Sequence, residues 1–211
     1  MDNDFFNSDG TLFKVFEWVS RLVFLNLLWI FFTILGLGIF GFMPATLATF
    51  SQIYKWLDGK NNIKLLKEFW KDYKASFIRI NLIGFVMIII AFILYIDLSY
   101  FQERTGILFS FLTIIVWLLI FFYIFVFIYM FPIFLKYDLK IYYILKNALF
   151  FVFITPKETV QMILALILPL IFFRYLPSLL PFLGVSLPIF LISWVSNKTL
   201  YKVEEKVRQN N

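Results

Sequence analysis

Long runs of apolar residues, separated by short charged stretches, dominate the pattern along this chain. Residues 22–42 and 107–135 carry no charge, and each is long enough for a helix to cross a bilayer, which takes about 20 residues. Residues 77–96, 159–175 and 180–196 are three further apolar stretches, with at most one charged side chain each. The pattern therefore predicts an all-α, polytopic membrane helical bundle with five transmembrane helices and a single membrane domain.

Two shorter segments have a mixed pattern that is typical of helices at a membrane surface. In residues 63–76, aliphatic and aromatic side chains recur every three or four positions, and charged residues, four lysines and two acids, fill most positions between them. This pattern predicts an amphipathic helix with a basic polar face. Residues 139–154 are apolar on balance, but they are short for a span and contain Lys146 and Asn147. We interpret them as a second surface-lying or re-entrant helix.

Three glycines lie near the end of the first predicted span, at positions 36, 38 and 41. Their spacing matches the glycine fingerprint of dinucleotide-binding folds, but that fingerprint requires a preceding strand, and here the glycines lie within a membrane span. We interpret them as sites of close helix packing or as a bend ahead of Pro44. Beyond Pro44, residues 45–57 are expected to continue as a helix towards the membrane surface.

Composition supports a membrane protein and restricts its chemistry. Hydrophobic residues make up 62% of the 211 residues and charged residues 15%, against about 45–50% and about 25% in average soluble domains. The chain has no cysteine and no histidine, which removes thiol nucleophiles, Cys or His metal sites and the commonest general base. We therefore expect a protein that is not an enzyme and that holds no cofactor or metal.

The positions of the 19 lysines and arginines predict an orientation. With five spans, fifteen of them fall on one side of the membrane, in residues 55–79, residues 136–157 and the tail after residue 197. The other four are Lys14, Arg21, Arg104 and Arg174. Basic loops face the cytoplasm, so we expect a cell-membrane protein with its N-terminus outside and its C-terminus in the cytoplasm. The net charge of +6 needs no nucleic-acid partner, since no basic domain stands apart from the spans.

Five polar side chains near or inside the predicted spans are candidate contacts. Glu17 and Arg21 are four residues apart, so they form either an anchoring ion pair at the outer end of span one or a ligand contact there. Asn26 and Asn81 fall inside spans, where each amide is expected to hydrogen-bond to a neighbouring helix. Arg174 is expected to snorkel at an outer turn.

Three segments together resemble the YesL family of bacterial multi-pass membrane proteins, a domain of unknown function. They are the Asn-Leu-Leu-Trp of residues 26–29, the Gly-Phe-Met-Pro-Ala-Thr of residues 41–46 and the basic aromatic stretch of residues 69–77. The resemblance covers nearly the whole chain and is strongest over residues 13–80. It implies no assigned activity. Genes of the family often lie beside those of carbohydrate ABC transporters, which implies an accessory role in sugar uptake with permease subunits as partners.

Three functions are compatible with these observations. The first is a non-enzymatic accessory of a membrane complex, embedded in the lipid bilayer and associated with a carbohydrate ABC transporter. The second is a small transporter or channel, whose polar path would be lined by Asn26, Thr33, Asn81 and Gln161. The third is a membrane enzyme acting on a lipid or lipid-linked sugar, for which Glu17 and Arg21 are the one candidate pair on the outer side.

Overall fold

The computed structural model describes residues 11–60, 64–137 and 139–209, and within these ranges every regular element is helical. The side chains of residues 11, 12 and 202–209 are not described. Eight α-helices and one 3-10 turn follow in the order α1 Thr11–Leu35, α2 Ile39–Leu57, α3 Leu65–Gln102, α4 Ile107–Lys136, α5 Ile141–Ile154, α6 Pro156–Tyr175, the turn Pro177–Leu179, α7 Leu180–Leu183 and α8 Ser186–Gln209. The predicted all-α fold is confirmed.

Four of these helices are long and apolar enough to cross a membrane. They are most of α1, over Phe13–Leu35, and the whole of α3, α4 and α6. The segment Pro177–Leu183 and the part Ser186–Tyr201 of α8 meet at an angle of 64°, and they make a fifth candidate if together they form one broken span. The predicted count of five spans therefore agrees with the four to five candidates that the described residues contain.

The first predicted span, residues 22–42, is not one continuous helix. α1 ends at Leu35, and the backbone turns through Leu37 at φ 60° and Gly38 at φ 75° before α2 begins at Ile39. A left-handed conformation is readily adopted by glycine, and it ends the helix here rather than at Pro44. The interpretation of the glycines as a bend ahead of Pro44 is confirmed, whereas the prediction of one continuous span over residues 22–42 was wrong, and Pro44 lies inside α2.

α2 folds back along α1 as an antiparallel hairpin. A Cβ on Gly41 would lie 2.4 Å from the carbonyl oxygen of Thr33, so the two backbones touch at this point. Further along, the indole nitrogen of Trp29 donates a 3.0 Å hydrogen bond to the hydroxyl of Thr46. The interpretation of the glycines as close-packing residues is thereby confirmed for Gly41.

α2 is the most enclosed helix of the bundle. Twelve of its 19 residues are buried, and it packs against α1, α3, α4 and α8. The prediction that residues 45–57 are helical is confirmed, and the segment is buried over most of its length on its way to the basic face. A helix inside the protein can carry more polar side chains than a lipid-facing helix, because these side chains form hydrogen bonds there. Thr49, for example, donates to the carbonyl of Ala45 at 2.8 Å.

α3 joins two elements that the pattern kept apart. The predicted amphipathic helix over residues 63–76 and the predicted span over residues 77–96 form one continuous helix, Leu65–Gln102, and residue 63 lies outside the described residues. Neither proline nor a left-handed residue interrupts the segment between Leu65 and Gly84, so nothing ends the helix there. Most of the charged residues of α3 occupy its first turns, and an apolar stretch follows with only Arg79 and Asp97 as charged residues.

α5 packs alongside α4. Its buried residues Ile144, Ala148, Phe151 and Val152 lie on the face towards the bundle, and Phe151 packs against Tyr129 with ring centroids 6.0 Å apart. The antiparallel pairing with α4 fits the re-entrant alternative for residues 139–154 better than a helix that lies flat on the surface. Pro156 then begins α6 after a break at Thr155.

The start of α1 and the end of α8 lie at the same face of the bundle. Trp18 of α1 packs on Trp56 at the end of α2 with ring centroids 6.0 Å apart, and the Tyr54 hydroxyl bonds to Ser196 of α8 at 2.6 Å. Tyr201 of α8 lies 4.4 Å from the Lys136 ammonium at the end of α4. The sequence-based orientation had put the two ends of the chain on opposite sides. We refer to this side, where Lys55 and Lys136 lie, as the basic face.

Candidate functional site

The most polar cluster of the described chain joins α2 to α3 at the basic face. The Asp72 carboxylate of α3 accepts hydrogen bonds from Ser51 at 2.7 Å, from Gln52 at 2.7 Å and from the Lys55 ammonium at 2.8 Å. Lys55 also donates to Glu68 at 3.0 Å. Helical spacing explains the convergence, because positions 51, 52 and 55 share one side of α2 and positions 68 and 72 share one side of α3.

The electrostatics of this cluster favour a fixed structure. Lys55 lies between two carboxylates, and its side chain is 23% exposed, so the ion pairs are only partly screened by solvent. Glu68 lies in the charged first turns of α3, before the apolar stretch, and it accepts its hydrogen bond from the same Lys55 ammonium as Asp72 does. The cluster therefore ties α2 to α3 at the membrane edge.

A cavity of about 230 Å³ opens beside this cluster. Residues of α2, α4 and α8 line it together with Asp58 just beyond α2, and the polar ones are Ser51, Tyr54, Lys55, Asp58, Lys136, Asn197 and Tyr201. Its charged groups are two lysines and one aspartate, and the hydroxyl of Tyr201 lies 3.4 Å from the Asp58 carboxylate. These groups can bind a small polar or anionic molecule, but the lining contains no pair of a nucleophile and a base.

Asn26 uses its whole amide to join α1 to the break before α8. Its Nδ2 donates to the carbonyl of Pro181 at 2.8 Å, and its Oδ1 accepts from the backbone N–H groups of Val185 at 2.9 Å and Ser186 at 3.1 Å. Asn26 is 1% exposed. A broken helix leaves backbone groups without helical partners, and in an apolar environment another side chain must satisfy them. Asn26 supplies these bonds from the neighbouring helix.

Asn81 donates a hydrogen bond to the Phe40 carbonyl, which lacks its usual helical donor because residue 44 is proline. In a regular helix the N–H of residue 44 would donate to the carbonyl of Phe40, but Pro44 has no N–H. The Nδ2 of Asn81 on α3 donates to this carbonyl at 2.9 Å, and also to the carbonyl of Phe77 at 2.9 Å. Asn81 and Pro44 therefore act as a pair that joins α3 to α2.

The other three candidate residues lie elsewhere. Glu17 and Arg21 form an ion pair within α1, and the Arg21 guanidinium lies 5.6 Å from the Trp56 ring at the basic face. Arg174 is exposed in the last turn of α6. The five predicted contacts are thus distributed over the bundle and do not form one site.

The hydrogen-bonded cluster around Asp72 was not predicted from the sequence. One signal was available in the sequence. Glu68 and Asp72 are four residues apart on α3, and positions 51, 52 and 55 form a polar stripe on the last turns of α2. The partnership requires α2 to return beside α3, and the incorrect continuous span over residues 22–42 concealed that return.

These features define a polytopic α-helical membrane protein whose internal polar groups join its helices. A family described as "Protein of unknown function, DUF624" matches residues 22–98. Among proteins of Bacillus subtilis (strain 168), YteU is 36% identical over the whole of this chain and 91% of its own length, and YesV is 30% identical over 92% and 93%. YesL is 27% identical over 90% of this chain and 89% of its own length.

The chain belongs to this family, and the resemblance to YesL is confirmed. The three relatives are each described as uncharacterized. No solved structure matches the chain.

Proposed function

We propose that the protein is a non-enzymatic accessory subunit that binds another membrane protein through the outer part of the α3–α4 hairpin. We call residues 88–115 the arm. A single observation carries the proposal: within the arm only Leu94 is buried, although both helices are apolar. Met87 and Val116, at the base of the arm, are the nearest buried residues on either side.

The arm contrasts with the polar interior of the bundle. Asn26, Asn81 and Asp72 are engaged in hydrogen bonds that hold helices together, so their polar groups have structural roles. In a bilayer, lipid covers exposed apolar side chains, and helices associate through close packing rather than through the hydrophobic effect. Two long helices with little other protein against them present wide, unoccupied surfaces for such packing.

The proposed partner is a permease subunit of a carbohydrate ABC transporter. This part of the proposal comes from the resemblance to the YesL family and its gene neighbourhood. An accessory subunit needs a stable bundle and a surface for its partner, and it needs no convergent catalytic groups. The dispersal of the candidate residues is compatible with such a role.

The two alternative functions receive less support from the geometry. A polar path would bring Asn26, Thr33, Asn81 and Gln161 together, yet Asn26 bonds to the α7–α8 junction, Asn81 bonds to α2, and Gln161 is exposed on α6. An enzyme on the outer surface would use Glu17 and Arg21, and this pair lies at the basic face. We therefore keep the accessory role as the proposal.

We further propose that the basic face is cytoplasmic and that both ends of the chain lie there. This requires an even number of crossings, so the buried α2, which returns along α1 to this face, adds one crossing to the five candidates. Lys14 and Arg21 belong to this face because α1 begins there, so seventeen of the nineteen lysines and arginines lie on one side and Arg104 and Arg174 lie on the other. This division is stronger than the fifteen to four of the sequence-based orientation, and basic residues favour the cytoplasmic side.

Site-specific crosslinking tests the partner. A photo-reactive residue replaces Ile93 in the arm or, as a control, Leu168 of α6, since both side chains are about half exposed and apolar. In native membranes of cells grown on polysaccharides, we expect position 93 to capture permease subunits and position 168 to capture none. Equal capture from both positions, or no protein captured from position 93, would contradict the proposal.

Cysteine labelling tests the orientation, and the chain's lack of cysteines leaves no background. Single cysteines replace Lys14, Lys60 or Glu103, and intact cells are treated with a membrane-impermeant maleimide. We expect labelling at position 103 alone, and labelling of all three after the membrane is opened. Labelling of position 14 in intact cells would restore the N-terminus-outside orientation.

A further inference from the structure

A cleft of about 620 Å³ lies between α3, α4 and α5. Its walls are almost wholly apolar, and they include Met87, Leu94, Leu119, Val126 and Leu149. The hydroxyl of Tyr123 in the wall is engaged with the carbonyl of Met87 at 3.1 Å. The cleft is within the range of ~300–1,000 Å³ that ligand pockets occupy, and its lining suits a hydrocarbon chain.

The end of this cleft towards the start of α5 is basic. Lys146 and Tyr142 are four residues apart on α5 and both line the cleft. Tyr142 also lines an adjoining depression together with Lys140 and Arg79. Arg79 already donates to the carbonyl of Leu139 and lies 5.1 Å from the Phe134 ring, so we assign it no further contact.

Lys146 is unusual in this setting. A cation among apolar helices is costly unless an anion accompanies it or its ammonium reaches the membrane surface. Its ammonium lies 5.7 Å from the Phe150 ring, and in the described part of the chain neither Lys140 nor Lys146 forms a salt bridge with a carboxylate. The exposed Lys146 therefore lines a cleft that is otherwise apolar, and the exposed Lys140 lines the adjoining depression that shares Tyr142 with it.

We propose that this cleft binds an anionic phospholipid from the leaflet at the basic face. One acyl chain occupies the cleft between α3, α4 and α5, and the phosphate lies between Lys140 and Lys146 with the Tyr142 hydroxyl as a further donor. Charge complementarity selects this occupant, because a zwitterionic lipid brings a headgroup cation beside its phosphate and an apolar helix brings no anion, whereas an anionic lipid adds a net negative charge beside both lysines. The inference does not rest on the proposed accessory role, since its ligand is a lipid and its basic residues lie on α5, although Ile90 and Leu94 belong both to the cleft and to the arm.

Native mass spectrometry of the full-length protein in detergent tests the assignment. The protein is titrated with phosphatidylglycerol and with phosphatidylcholine of the same acyl chains, and inorganic phosphate is added as a competitor in a third arm. We expect phosphatidylglycerol to bind about 25-fold more tightly than phosphatidylcholine, since each of the two basic residues near the membrane contributes roughly fivefold. Phosphate alone is expected not to displace the lipid.

Matched variants locate the site. The double variant Lys140→Gln, Lys146→Gln is expected to bind both lipids alike, whereas Lys60→Gln, Lys74→Gln removes two exposed lysines elsewhere and keeps the preference. Leu149→Trp fills the cleft, leaves the lysines in place and is expected to weaken both lipids. Circular dichroism and thermal unfolding verify that each variant is folded.

Equal binding of the two lipids by the unaltered protein would overturn the assignment, and so would a retained preference in the Lys140 and Lys146 double variant. An equal loss of preference in the Lys60 and Lys74 double variant would also overturn it, because it would show a general attraction to a basic surface. Displacement of the lipid by phosphate would overturn it by showing an anion site without an acyl chain.

Discussion

α2 and the arm are both helical, yet they use their surfaces in opposite ways. α2 has twelve buried residues of 19, and it includes the polar Thr46, Thr49 and Gln52 among them. The arm is more apolar, and Leu94 is its one buried residue. In a membrane the solvent is apolar, so the most hydrophobic helices face lipid and a helix inside the protein can carry hydrogen-bonded polar groups.

This contrast explains why the hydropathy pattern predicted membrane helices over the arm but did not predict the buried position of α2. A scale that rewards apolar side chains identifies contact with lipid, and α2 has little such contact. The polar residues of α2 are paired with α1, α3 and α8, and those partners are separated from it in the sequence. The contrast also separates two roles, because changes in α2 should affect stability and changes in the arm should affect partners.

The largest expected effect is a core truncation in α2. Ile53 is 0% exposed, so Ile53→Ala should lower the free energy of unfolding by about 4 kcal/mol through loss of packing and a residual cavity. The measurement is chemical or thermal unfolding in detergent. The same change at the half-exposed Ile93 is the control, and an equal cost at both positions would remove the distinction between α2 and the arm.

Asn26→Leu should cost about 3 kcal/mol. The change leaves the N–H groups of Val185 and Ser186 and the carbonyl of Pro181 without their partner, and each unsatisfied buried group costs about 1–3 kcal/mol. Thermal unfolding measures the loss, and Leu27→Ala on the exposed side of α1 should change little. A stable Asn26→Leu protein would show that the α7–α8 break finds other donors and acceptors.

Gly41→Ala should cost about 2 kcal/mol, because the new methyl group would meet backbone atoms of Thr33 and Phe32 that cannot move aside. Gly84→Ala is the matched control. Its methyl group would meet only side-chain atoms of Met43, the nearest being Cγ at 2.7 Å, and these can move by a change of the Met43 rotamer, whereas the backbone of Thr33 cannot. The two melting temperatures decide the matter, and a larger loss for Gly84→Ala would contradict the hairpin packing.

Asn81→Leu should cost about 1 kcal/mol in the natural chain and less in a Pro44→Ala background. Alanine at position 44 restores an N–H for the Phe40 carbonyl, so this carbonyl no longer depends on Asn81. A double-mutant cycle measures the coupling between the two positions. Strict additivity would mean that the two residues do not compensate each other.

The smallest effect on stability is expected in the arm. Phe111 is 61% exposed, so Phe111→Ala should change the free energy of unfolding by less than about 0.5 kcal/mol. The same variant should reduce the yield of partner crosslinks from position 93, because it removes packing surface. A variant with full crosslinking would place the partner on another surface.

The sequence by itself determined that the chain is helical and embedded in a membrane, because the lengths of apolar runs and the absence of charge are local properties. It also supplied the glycines and the two asparagines as packing and bonding residues, with their partners left unspecified. Only the tertiary structure decided that α2 returns beside α1, that Asn81 serves the carbonyl freed by Pro44, and that Asp72 meets Lys55. These pairings depend on turns and on contacts between distant residues, and the hydropathy of a segment contains no information about which helix lies next to it.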